Sequence, residues 1–133
     1  MTSPDSAPDT EPRLAAVFEE LKAREPIFHT PQFGSTRADY EALLDPGYYE
    51  IGASGRRYSR HFVLELVSTR PPHPDELTWV TDEFHCREIA AGNFLLTYTL
   101  RQGARVSRRA TLWRRTAAGW TILYHQGTLV EPA

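Results

Sequence analysis

From Leu77 to Thr128 the chain alternates between apolar and polar side chains, broken only by short turn signals at Ala91-Gly92, Gly103-Ala104 and Thr116 to Gly119. Side chains on a strand point to opposite faces with a period of two, and short turns between such runs make antiparallel hairpins. The spacing therefore predicts four long strands: Leu77 to Ala90, Asn93 to Gln102, Arg105 to Arg115 and Trp120 to Thr128. A meander of this length has a whole face to bury. Most of the covering material must come from the N-terminal half.

That half reads as helices. Leu14, Val17, Phe18 and Leu21 recur at helical spacing behind a capping Thr10 and a first-turn Pro12, and Pro26 ends the run. Ile27 to Gly34 reads as an ordered loop broken by Pro31. Thr36 and Asp39 have capping-box spacing ahead of Tyr40, Leu43 and Leu44, and Asp45-Pro46-Gly47 stops that second helix. A short hairpin follows, Tyr48 to Ala53 turning through Ser54-Gly55 into Arg56 to Tyr58. Ser59 caps a third helix carrying Phe62, Val63, Leu66 and Val67, which Pro71, Pro72 and Pro74 end. Helices first and strands afterwards predict an α+β fold. Residues 11–130 are expected to form one domain and residues 1–10, small, polar and Pro-containing, a disordered tail.

Composition excludes several classes. A net charge of −2 gives no reason to expect nucleic acid or an anionic membrane as partner. Cys86 is the only cysteine, so no internal disulfide forms and a reduced compartment fits. There is no apolar run of about 18 residues and no secretory leader, so the cytoplasm is the expected location.

Hairpins with short loops fix register, so facing residues can be assigned. If both glycine turns are two-residue loops and Thr116 to Gly119 is a four-residue loop, one row crosses the sheet: His85, Tyr98, Arg109, Gln126. Glu83, Leu100 and Ser107 neighbour it on one side; Arg87, Leu96, Thr111 and Tyr124, then Phe94, Trp113 and Ile122, on the other. Aromatic walls with a few polar groups suit a ligand pocket. The opposite face carries Val80, Phe84, Cys86, Thr97, Val106, Ala110, Leu112 and Leu123, smaller-grained and suited to packing on a second subunit. A slip of one residue would exchange the two faces.

The run Ser107 to Arg115 (S-R-R-A-T-L-W-R-R), the Gly119-Trp120 pair and Tyr124 to Thr128 (Y-H-Q-G-T) resemble the ending of small nuclear transport factor 2-like (SnoaL-like) domains, above all the bacterial domain-of-unknown-function family 4440. Glu50 to Arg60 (E-I-G-A-S-G-R-R-Y-S-R) is similar to that family's middle motif. The resemblance covers about Leu14 to Leu129. It implies a cone-shaped, curved antiparallel sheet packed against about three helices, the cystatin-like roll. It also implies a pocket between sheet and helices and, often, a homodimer through the sheet. Relatives of this kind include isomerases, dehydratases, cyclases, small-ligand binders and the association domain of a calmodulin-dependent kinase. The pocket arginines of that association domain fall on Leu100, Thr111 and Gln126 here, none of which is Arg.

Three functions follow as expectations. The first is a small-molecule-binding homodimer whose ligand meets Tyr98, Arg109, Gln126, Thr111, Trp113 and Tyr124. The second is an isomerase, dehydratase or cyclase with His85 or Glu83 as base and Tyr98 and Arg109 stabilising a developing oxyanion. The third is a non-catalytic dimerisation module with a filled core. His125 reads as a hydrogen-bonded structural histidine on the face opposite Gln126, or as a catalytic one near the pocket mouth. His29 reads as a loop-packing residue or a lid, and Cys86 as a small buried apolar group. No cofactor or metal is expected, because His85 and Cys86 are adjacent and point to opposite faces, and no other His or carboxylate pair has ligand spacing.

Overall fold

The alternating C-terminal half closes into a sheet on which every helix packs, as a computed structural model describing residues 4–131 shows. The helices are α1 (Ala15–Lys22), α2 (Arg37–Leu43) and α3 (Arg60–Thr69). The strands are β1 (Leu44–Ile51), β2 (Arg57–Ser59), β3 (Val80–Ala90), β4 (Asn93–Gln102), β5 (Arg105–Thr116) and β6 (Gly119–Leu129). They form one sheet in the order β2-β1-β6-β5-β4-β3. Neighbours are antiparallel except β1 and β6, which run parallel.

Local signals account for most element ends. Thr36 accepts from the Asp39 amide while Asp39 reaches back to the Thr36 amide, the expected capping box. Ser59 caps α3 through the Phe62 amide. Thr10 does not cap; its Oγ1 accepts from the Cys86 amide, tying the N-terminal segment to the edge strand β3. α1 is instead entered through a 3-10 turn at Pro12–Leu14. Asp45-Pro46-Gly47 sits inside β1, at an irregularity in its pairing with β6. The disordered tail expected over residues 1–10 lies outside the described residues at 1–3; beyond them the chain runs over the sheet, where Arg108 meets Asp5 at 2.6 Å.

The core lies between the helices and the sheet's inner face. Leu14 and Leu21 meet Leu96, Phe94, Trp113 and Ile122 there, with Tyr40, Leu44, Val63, Leu64 and Val67 from the other helices and β1. Leu21, Leu96 and Ile122 are fully buried, each worth roughly 1.5–3 kcal/mol relative to exposure. This is the expected α+β architecture, a mostly antiparallel sheet rolled over three helices.

Candidate functional site

Between the inner face and the loop after α1 lies a cavity of about 130 Å³. Tyr98 and Leu100 of β4, Arg109 of β5 and His125 of β6 form its floor, and Glu50 of β1 closes one side. Phe28, His29, Arg70 and Trp79 form its rim. Outside the rim a broader vestibule of about 770 Å³ runs between residues 70–79 and the β4–β5 turn, reaching Gln102 and Arg105.

Behind the floor is Glu25, a buried carboxylate. The Tyr98 hydroxyl donates to its Oε1 at 2.7 Å, the Trp113 indole to its Oε2 at 3.1 Å and the Ile27 amide to its Oε1 at 3.1 Å. Burial raises its pKa to about 7, against the pull of these donors. The same burial, with Glu25 beside it, raises the Tyr98 hydroxyl well above the usual phenol range.

His125 is buried on the inner face with Nδ1 2.7 Å from the Thr111 hydroxyl. Burial, and secondarily the Arg109 charge, push its pKa down to about 3, so it stays neutral at physiological pH. Glu50 accepts from the Tyr48 hydroxyl at 2.7 Å, and burial raises its pKa. At the rim Arg70 donates to Nε2 of His29 at 3.1 Å, which places the imidazole proton on Nδ1, donated to Glu76 at 2.9 Å. The Trp79 ring meets His29 edge-on at 4.8 Å. Burial outweighs Glu76 and lowers the His29 pKa.

The expected row holds at its centre and breaks at both ends. Tyr98 faces Arg109 as the β4–β5 loop requires. Ala90 faces Asn93, also as expected, but the register shifts between Glu88 and Ala90, so His85 faces Thr97 and turns to the outer face. Phe84 and Cys86 turn inward in its place: Phe84 stacks on Tyr98 at 4.9 Å, and Cys86 is buried with its thiol pushed up to about 11. A second shift between Asp82 and His85 coincides with Glu83 at φ 57, a left-handed conformation unusual for a residue with a side chain. Glu83 lies outward, where it meets Arg108 at 2.7 Å and Thr99 at 2.9 Å. Those partners, Thr99 first, lower its pKa, the reverse of a buried base.

A third shift, between Leu112 and Trp113, exchanges the faces of β6. Gly127 comes opposite Arg109, His125 points inward, and Gln126 and Tyr124 go outward, where the Tyr124 hydroxyl donates to Gln126 at 2.5 Å. His125 is thus hydrogen-bonded and opposite Gln126, as expected, but on the cavity side. Of the expected ligand contacts, Tyr98 and Arg109 line the cavity; Thr111 and Trp113 are inner-face residues engaged with His125 and Glu25. Glu25, Glu50 and Arg70 were not singled out from sequence. Each lies at or just past the end of an element; Glu50 opens the E-I-G-A-S-G-R-R-Y-S-R run, but nothing in the spacing of the three marks them as facing one cavity.

Among the described residues no three His, Cys, Asp or Glu side chains gather to hold a metal ion, and no helix is long and apolar enough to cross a membrane.

No protein-family model matches the chain, so the narrower likeness to family 4440 stays a resemblance. No curated protein matches it either. Solved structures do. A cystatin-like fold protein from Burkholderia xenovorans is 14% identical, with 92% of this chain and 96% of that one covered at a TM-score of 0.68. A nuclear transport factor 2-like protein from Cytophaga hutchinsonii is 13% identical over 91% of this chain and 100% of that one, at 0.63. A ketosteroid isomerase-like protein from Parabacteroides distasonis is 13% identical over 93% and 96%, at 0.64. With the element order, the rolled sheet and the inner cavity, these likenesses show that the chain has the nuclear transport factor 2-like, cystatin-like fold.

Proposed function

We propose that this domain binds a small organic molecule in the inner-face cavity and works as a homodimer through the outer face of the sheet. The observation that carries the reading is the cavity itself: Tyr98, Arg109, His125, Glu50 and Arg70 meet around it beside Phe28, Leu100 and Trp79. Converging polar groups that can orient a ligand, set beside apolar side chains, are what a small-ligand site needs. The homodimer is supported by the outer face, where Thr97, Ala110 and Gln126 form a small-grained row between longer side chains.

The isomerase, dehydratase or cyclase reading has less support, because His85 and Glu83 both turn away from the cavity. What favours it is the Glu25 carboxyl, which titrates near neutral pH and touches the cavity through Tyr98. Binding needs no proton transfer and asks less of this geometry.

The experiment is a fragment titration followed by the Trp79 indole NMR signal. The reading expects fragments that move Trp79 and leave the Trp120 signal unmoved. If no fragment moves Trp79, the cavity is not a binding site.

A further inference from the structure

Arg109 carries a half-buried charge on the cavity floor, and among the described residues no carboxylate forms an ion pair with it. Its Nε donates to the Ser107 hydroxyl at 2.9 Å. On the surface, by contrast, Arg37, Arg101, Arg108 and Arg115 each hold a carboxylate at 2.6–3.2 Å. An exposed arginine can do without a partner because water solvates it. A cation in a small cavity cannot, and burying it unpaired is costly.

Arg70 repeats the pattern at the rim. It donates to His29 Nε2 and, at 3.5 Å, to the Phe28 carbonyl, both neutral acceptors. Glu50 and Glu25 act on Arg109 at longer range, and Glu50 on Arg70 as well, without an ion pair among the described residues. Among the described residues Glu50 is the carboxylate lining the inner cavity; it accepts from Tyr48, and burial raises its pKa against the pull of Tyr48, Arg109 and Arg70. Glu25 is held by Tyr98 and Trp113, and Glu76 by His29. Asp75 lies in the outer vestibule. Burial lowers the pKa of His29 and pushes that of His125 down to about 3. Farther out, Arg105 stands on the same face of β5 as Arg109 and lines the vestibule, its guanidinium donating to the Gln102 amide oxygen at 2.9 Å. Arg105, Arg70 and Arg109 thus mark a way in; against Asp75 and Glu50 they leave the lining net positive, and a net positive cleft draws an anion inward.

We infer that the missing counter-ion is the ligand: a small organic carboxylate whose charged head is received by Arg109 and Arg70 and whose apolar body rests on Phe28, Leu100 and Trp79. The inference rests on the cavity-binding reading and names its ligand class. A guanidinium fork matches the planar carboxylate with two parallel hydrogen bonds. Size limits the body: about 130 Å³ is close to the roughly 150 Å³ that houses a benzene-sized guest. One ring, or a short branched chain, fills it.

The test is calorimetric titration of the purified protein at low salt with benzoate, its neutral isostere benzamide, and inorganic phosphate. Benzoate is expected to bind at least about tenfold more tightly than benzamide, and phosphate not to displace it. Arg109→Gln and Arg70→Gln are each expected to weaken benzoate about tenfold and benzamide by much less, so that the preference for benzoate is lost. Arg101→Gln, on the outer face and paired with Asp82, is the control and should leave both unchanged. Circular dichroism shows whether each variant is folded, and the two arginines are read independently. Benzamide binding as well as benzoate would overturn the charge inference and leave the cavity reading standing. Phosphate displacing benzoate at equal concentration would also overturn it, making the site a general anion hole. Neither aromatic probe binding would overturn both.

Discussion

The Tyr98 hydroxyl donates to Oε1 of Glu25 across 2.7 Å, joining residues 73 positions apart and fixing the cavity floor to the segment that follows α1. With Phe in place of Tyr98, Oε1 loses that donor and keeps the Ile27 amide. Tyr98→Phe is expected to cost roughly 1–3 kcal/mol, the penalty for a buried acceptor that loses a donor, as measured by urea unfolding. No loss would mean the pair is not formed.

Glu25 and His125 pull the pH dependence in opposite directions. Glu25 has a folded pKa of about 7, above its ordinary value of 4.5, so the folded state holds the proton more tightly and stability is lost as pH rises through that window. The full shift corresponds to roughly 3 kcal/mol. Glu25→Gln should therefore gain on the wild type in relative stability between pH 4.5 and 8, whatever its offset at low pH. His125 has a folded pKa of about 3 against 6.5, so its contribution is present above 6.5 and is lost as pH falls toward 3. His125→Gln should lose that acid sensitivity. Parallel unfolding curves for wild type and variants across pH 4–8 would contradict both assignments.

Gly127 lies under the Arg109 side chain, and a methyl group built there would come within 3.2 Å of its Nε and Cζ. Gly127→Ala is expected to displace the guanidinium while keeping the fold, with a melting temperature within about 5 °C of wild type, a stability change of about 1 kcal/mol. Affinity for a cavity ligand should fall severalfold. Unchanged affinity would place the ligand elsewhere.

On the outer face Ala110 sits between Thr97 of β4 and Gln126 of β6. A charged side chain there meets its own copy's surface in any two-fold contact through the sheet. Ala110→Glu should turn a dimer into a monomer in sedimentation while leaving circular dichroism unchanged. A wild type that sediments as a monomer at high concentration contradicts the homodimer proposal.

The fold was legible because its signals are local and repeated. The Thr36 and Ser59 caps, the β1–β2 hairpin and the two-residue β4–β5 loop are all where the residues place them. The site was legible only near that tight loop. Tyr98 and Arg109 face each other because no irregularity lies between them and the turn. His85 and Gln126 lie beyond register shifts in stretches whose side chains, Glu88-Ile89-Ala90 and Ile122-Leu123-Tyr124, hold no glycine to announce one. One extra residue exchanges the faces, which put Gly127 where Gln126 was expected, His125 where Tyr124 was, and Phe84 where His85 was. Glu25 was beyond reach for another reason: its role depends on the burial and the Tyr98 and Trp113 donors that the assembled fold provides.

A crystal structure of the protein soaked with benzoate tests the central claim most directly. The account predicts the carboxylate within hydrogen-bond distance of Arg109, with the ring between Leu100 and Trp79. A cavity closed by its own side chains, or benzoate bound only on the outer face beside Gln126, would contradict it.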